Sequence, residues 1–76
     1  MNNIRTNLFE YNDAYRIKHI CDKHNVKCAY NGVKCALIGI RMNDILLVLD
    51  ECFDNYTYFI NNNILFVNIF LTNIFE

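Results

Sequence analysis

A chain of 76 residues with a formal net charge of −1 has room for one domain, 1–76, which buries roughly 60% of the surface its unfolded form would expose. So small a core leaves little space for a deep substrate pocket, and a chain without serine has no Ser nucleophile, so an enzyme is not expected and a binding role is. The abundant Asn, Ile, Phe and Tyr are residues of A/T-rich codons, a bias common in phages and mobile elements, and the Asn runs read as a product of that bias.

Met1-Asn2-Asn3-Ile4-Arg5 leads into mixed polar sequence with no apolar export signal, so a cytoplasmic protein with reduced cysteines is expected. The first eleven residues carry no pattern beyond a turn or a short strand. Asn12-Asp13 then forms a helix start, and Ala14, Ile17, Cys21 and His24, widened by Ile20, recur at helical spacing. A helix over 12–24 follows, closed by Asn25 in the left-handed region.

Val26 to Tyr30 and Val33 to Ile40 flank Asn31-Gly32, the strongest local signal in the chain. A two-residue Asn-Gly loop supplies the positive φ angles of a type I′ turn. In that register Tyr30 faces Val33, Cys28 faces Cys35 and Val26 faces Leu37 on a core side, with Lys27, Ala29, Lys34 and Ala36 on the other. Ile45 to Leu49 runs apolar into Asp50-Glu51. It reads as a third strand, which a lone hairpin needs for stability, or as a helix presenting Ile45, Val48, Leu49, Cys52, Phe53 and Tyr56; the strand is favoured. From Tyr56 onward helical spacing competes with two strands joined at Asn61 to Asn63. The expected fold is α+β in the order αβββα, with two further strands at the end as the alternative. Residues 56–75 are the only membrane candidate, and five asparagines interrupt them, so no spanning segment is expected.

Charge divides the chain. All Lys and Arg lie at or before Arg41, against Glu10, Asp13 and Asp22, whereas Met42 onward holds only Asp44, Asp50, Glu51, Asp54 and Glu76. The two halves attract each other, or each offers a face to a partner of opposite charge. Asp44, Asp50, Glu51 and Asp54 form the candidate protein-binding face. Arg16, Lys23, Lys27 and Lys34, with His19 beside them on the helix, form a candidate nucleic-acid face. The expected element order is similar to that of double-stranded-RNA-binding domains, without their basic helix-start motif. Ile45 to Glu51 resembles the apolar strand ending in Asp-Glu of P-loop nucleotidases. The resemblance covers seven residues and lacks a phosphate-binding loop, so an apolar strand reaching solvent accounts for it.

Cys21, His24, Cys28 and Cys35 have the residue types of a zinc site, but their spacing fits no familiar module, and core thiols explain them better. A Cys28–Cys35 bridge follows geometrically from the expected register, although reduced thiols are expected in a cell. No metal or cofactor is expected. The leading functional expectation is a small protein-interaction module, a stoichiometric inhibitor of a host factor of the anti-defence or anti-CRISPR type carried by a phage or mobile element. A small nucleic-acid-binding domain and a structural homo-oligomer, a homodimer in the simplest case, are the alternatives.

Overall fold

The computed structural model describes residues 3–70. Its elements run β1 (Ile4–Thr6), β2 (Phe9–Glu10), α1 (Ala14–Lys23), β3 (Lys27–Asn31), β4 (Lys34–Gly39), α2 (Met42–Cys52), β5 (Tyr56–Asn61) and β6 (Ile64–Ile69). This order, ββαββαββ, replaces the expected αβββα. All six strands join one mixed sheet, in the order β2-β4-β1-β6-β5 with β3 on the free side of β4. The resemblance of element order to double-stranded-RNA-binding domains falls with that correction.

The largest departure from expectation is the N-terminal segment, which becomes the central strand of the sheet. Ile4 pairs with Gly39 and Arg5 with Ile38, but Phe9 pairs with Cys35 and Glu10 with Lys34. The register slips by one residue between the two stretches, so Asn7 and Leu8 together oppose Ala36. This is a β-bulge that divides one strand into β1 and β2. The bulge keeps Thr6 and Phe9 on the core side, where both are buried. Its interrupted ladder is repaired by side chains. Thr6 Oγ1 accepts from the Leu37 N–H at 2.9 Å. Asn7 turns its carboxamide onto β6, accepting from Val67 N–H at 2.7 Å and donating to the Val67 carbonyl at 3.2 Å. The amide stands in for a strand residue where β1 leaves β6, so that buried backbone groups stay paired.

Helix α1 starts where expected: Asp13 caps it, accepting from Arg16 N–H at 3.0 Å. Asn25 ends the helical segment with φ 58°. Ile17, Ile20 and Cys21 form its buried stripe.

The hairpin at Asn31-Gly32 is present, but its register differs from the expected one. Asn31 pairs with Lys34, so the loop is Gly32-Val33, Tyr30 faces Cys35, and Cys28 faces Leu37. Only Gly32 has positive φ, at 64°, which is the pattern of a type II′ turn; a β-branched Val33 resists the second positive φ that a type I′ turn requires. The Val33 carbonyl is also taken by the Tyr11 N–H at 3.0 Å, tying this turn to the strand beside β4. The slip is two residues, so each side chain keeps its expected face. Cys28 and Cys35 become diagonal neighbours, which removes the geometric basis for the bridge.

Residues Met42–Cys52 are a helix rather than the favoured third strand. Ile45, Val48 and Leu49 are fully buried, the helical stripe of the competing reading. β4 needs no third strand from this segment, because β1 and β2 already occupy that edge. The apolar run into Asp50-Glu51 therefore lies on a helix, and its likeness to a nucleotidase strand goes with it. Tyr56 to Ile69 forms the two-strand alternative, a hairpin whose loop residues Asn62 (φ 52°) and Asn63 (φ 65°) both occupy the left-handed region. Asparagine tolerates that region better than other side-chain-bearing residues, so part of the Asn run has a structural use.

Both helices pack on one face of the sheet, α1 over β3 and α2 over β4, around Ile17, Leu37, Ile45, Leu49 and Leu65. The β5–β6 hairpin extends beyond them, and the extents of the molecule are 46 × 25 × 21 Å. Among the described residues no helix is long and apolar enough to cross a membrane.

Candidate functional site

The acidic residues expected to meet a partner are largely engaged within the chain. Asp44 accepts from Arg41 Nε at 3.1 Å. Asp50 accepts from the Tyr56 hydroxyl at 2.5 Å, a bond that adds to burial in raising the tyrosine's pKa. Glu51 receives Lys23 Nζ at 2.8 Å and lies 2.6 Å from His24 Nε2. Asp54 alone of the four has no hydrogen bond or ion pair among the described residues. The opposite charges of the two halves thus meet within one fold.

The Lys23 and His24 hydrogen bonds hold the Glu51 carboxyl below its ordinary range. A carboxylate with a lowered folded-state pKa adds stability above its unfolded pKa and loses it as pH falls through the folded value. Glu51→Gln is expected to reduce stability near neutral pH and to match the parent in acid. Urea unfolding at about pH 7 and about pH 3 measures this; a gap of constant size would mean that charge is not the cause.

The candidate basic set is divided between two faces. Arg16 and Lys23 lie on α1, where Arg16 donates to the Tyr11 hydroxyl and to the Glu51 carbonyl, both at 3.1 Å, and Lys23 bonds Glu51. Lys27 and Lys34 lie on the helix-free face of the sheet, with Arg5. The four do not form one surface.

The thiols form part of the core. Cys21 and Cys35 are buried, and burial pushes both up to about 12, far from thiolate chemistry at neutral pH. Cys28 is half-buried, and burial raises its thiol as well. His24 turns to Glu51, and among the described residues no group of three or more His, Cys, Asp or Glu converges as metal ligands.

A further exposed surface is the β5–β6 hairpin, the two-strand alternative for this segment. From Tyr56 to Phe70 there is no charged residue. β5 is a sheet edge, and Tyr58, Phe59 and Ile60 are 44%, 63% and 46% exposed. Phe70 N–H donates to the Asn55 carbonyl, so with the β5–β6 register the hydrogen-bonded pairs are Thr57–Asn68, Phe59–Phe66 and Asn61–Ile64. The N–H and C=O groups of Tyr56, Tyr58 and Ile60 therefore point out of the sheet edge, unpaired by any described strand. The usual guards of an edge strand, a charge or a proline, are absent from β5. The sequence signal for this hairpin is the period-two pattern of Tyr56, Tyr58 and Ile60 leading to an Asn-Asn turn.

Comparison with protein-family models, with curated proteins and with solved structures finds no match to this chain.

Proposed function

We propose that this chain is a small protein-interaction module that binds by adding a partner's strand to the free edge of β5. The observation that carries the reading is the uncharged six-residue edge strand whose outward backbone groups have no described partner and whose side chains are exposed on both faces. Main-chain hydrogen bonds supply affinity in this mode, and pockets for alternate side chains supply specificity. A stoichiometric inhibitor of a host factor, carried by a phage or mobile element, is the form of this role that small size and A/T-rich composition favour. The internal pairing of Asp44, Asp50 and Glu51 moves the proposed contact from the acidic face to β5.

Proline at position 58 removes an N–H that β6 does not use, whereas proline at 59 removes one that pairs with Phe66. Tyr58→Pro is expected to keep the fold by circular dichroism yet lose at least about tenfold in partner capture from host lysate, a loss of about 1.4 kcal/mol or more. The triple replacement Asp50→Asn, Glu51→Gln, Asp54→Asn is expected to retain capture. The reverse pattern would return the contact to the acidic side. Light scattering on the purified chain tests whether the added strand belongs to a second copy.

A further inference from the structure

The helix-free face of the sheet is a second surface, which meets the β5 edge at Phe59. Alternation places Arg5, Lys27, Ala29, Lys34, Ala36 and Phe66 on it, since their neighbours Thr6, Cys35, Leu37, Leu65 and Val67 point into the core. Ala29 and Ala36 are direct cross-strand partners, and their small side chains leave a shallow depression bounded by Arg5, Leu8, Ile64 and Phe66. The bulge at Asn7-Leu8 contributes to it by turning Leu8 to this side while Phe9 enters the core. Beside the depression Phe59 and Phe66 stand as a stacked pair, with ring centroids 5.0 Å apart and planes at 18°.

The charge on this face selects its occupant. Arg5 sits between Ile38 and Ile64 near the middle of the sheet, and Lys27 lies in the same cross-strand row, two strands away, about 10 Å by strand spacing. Neither makes an ion pair among the described residues. The acidic residue on this face is Glu10, in register with Lys34 and without an ion pair to Arg5 or Lys27 among the described residues. A second copy stacked face to face would press these cations against their equivalents. A ligand carrying regular negative charge and flat aromatic groups satisfies both the cations and the phenylalanine pair.

We propose that the helix-free sheet face binds single-stranded nucleic acid, with Arg5 and Lys27 on phosphates and Phe59 and Phe66 as the platform for a base. Stacking on an exposed aromatic accepts any base, and paired cations track the backbone. The surface is independent of Arg16 and Lys23, which occupy the opposite side.

Fluorescence anisotropy with a labelled oligo-dT and a labelled oligo-U, each of about twelve nucleotides, at about 50 and about 200 mM KCl tests the proposal. Binding is expected for the single strands, weaker at the higher salt, and poorer for a duplex of equal length. Phe59→Ala is expected to weaken it about five- to hundredfold. Arg5→Ala with Lys27→Ala is expected to reduce the log–log salt slope by about 1.4, at roughly 0.7 per phosphate contact on a single strand. Arg16→Ala with Lys23→Ala is expected to leave binding unchanged. Because Phe59 is exposed, its replacement is expected to fold, and Arg5→Glu provides a second loss variant. No anisotropy change at the lower salt overturns the proposal, as does binding that survives both Phe59→Ala and Arg5→Glu. Preference for the duplex, or for an acidic polypeptide such as poly-glutamate, also overturns it. Tyr58→Pro separates this surface from the edge-strand reading: oligonucleotide binding is expected to persist in it, because Phe59 keeps its pairing with Phe66, and its loss would assign the binding to the β5 edge and overturn the proposal.

Discussion

Asn7→Ala is expected to destabilise the fold by about 2–4 kcal/mol, although Asn7 is only half-buried and belongs to no regular strand. The alanine would leave the Val67 N–H and C=O without the carboxamide that pairs both. Stranding a buried donor or acceptor costs about 1–3 kcal/mol each, and partial access of water moderates the sum. Val67 is 6% exposed, so water is a poor replacement. Asn7→Asp refines the test, because a carboxylate can accept from the Val67 N–H but cannot donate to the Val67 carbonyl. That variant is expected to be unstable at neutral pH and to recover on acidification, when the protonated acid supplies an O–H donor. Its folded-state pKa would lie above the unfolded value, so the stability it supplies is present at low pH and disappears as pH rises. Denaturant midpoints for the parent, Asn7→Ala and Asn7→Asp at two pH values decide the matter; a midpoint for Asn7→Ala within about 0.5 kcal/mol of the parent would show that the amide is not part of the ladder.

The second large effect distinguishes the helix at Met42–Cys52 from a strand. In a strand Ile45, Leu47 and Leu49 share a face, so truncating Leu47 and Leu49 would have similar consequences. In the helix Leu49 lies in the core at 0% exposure and Leu47 is 47% exposed. Leu49→Ala is expected to cost about 2–5 kcal/mol, in the range for a buried leucine that leaves a cavity. Leu47→Ala is expected to cost less than about 1 kcal/mol, because alanine's helix propensity offsets part of the lost contact. Equal losses at the two positions would contradict the helix. The same pair of variants checks the placement of Asp50 and Glu51, whose bonds to Tyr56 and to Lys23 depend on a helical rise between them and Leu49.

Local chemistry was legible where a few neighbouring residues decide the backbone. Asp13 and Asn25 mark the ends of α1, and Gly32 marks a tight turn, because capping and positive φ are properties of single residues. The face of each side chain in the first hairpin was also legible, since a slip of two residues preserves alternation. The exact pairing was not. It depends on which strand lies along the far side of β4, and that strand comes from the N-terminus, whose hydrophobic alternation is broken by the bulge between Thr6 and Phe9. Period two runs through Ile4 and Thr6 and breaks before Phe9, at the extra residue.

The candidate site shows the same division. Oppositely charged halves were visible in the sequence, and their mutual attraction is realised in Lys23–Glu51 and in the Arg16 contact with the Glu51 carbonyl. Which charges remain for a ligand was decided by topology: Arg16 and Lys23 are drawn to α2, while Arg5 and Lys27 are displayed on the opposite face. From Tyr56 onward helical spacing competed with two strands, because aromatic and β-branched residues fit both a buried helix and a half-exposed strand.

From sequence alone come the α+β class, the first helix, the Gly32 turn and the sorting of apolar from lysine-bearing sides in β3 and β4. Only the tertiary structure decided that Ile45 to Leu49 is helical, that the last segment is a hairpin, and that residues 4–10 form the central bulged strand. The physical reason is that caps and turns are set by contacts a few residues apart. Sheet order is set instead by which distant backbone groups remain unpaired, and here those groups are satisfied by Thr6 and Asn7 reaching across to Leu37 and Val67.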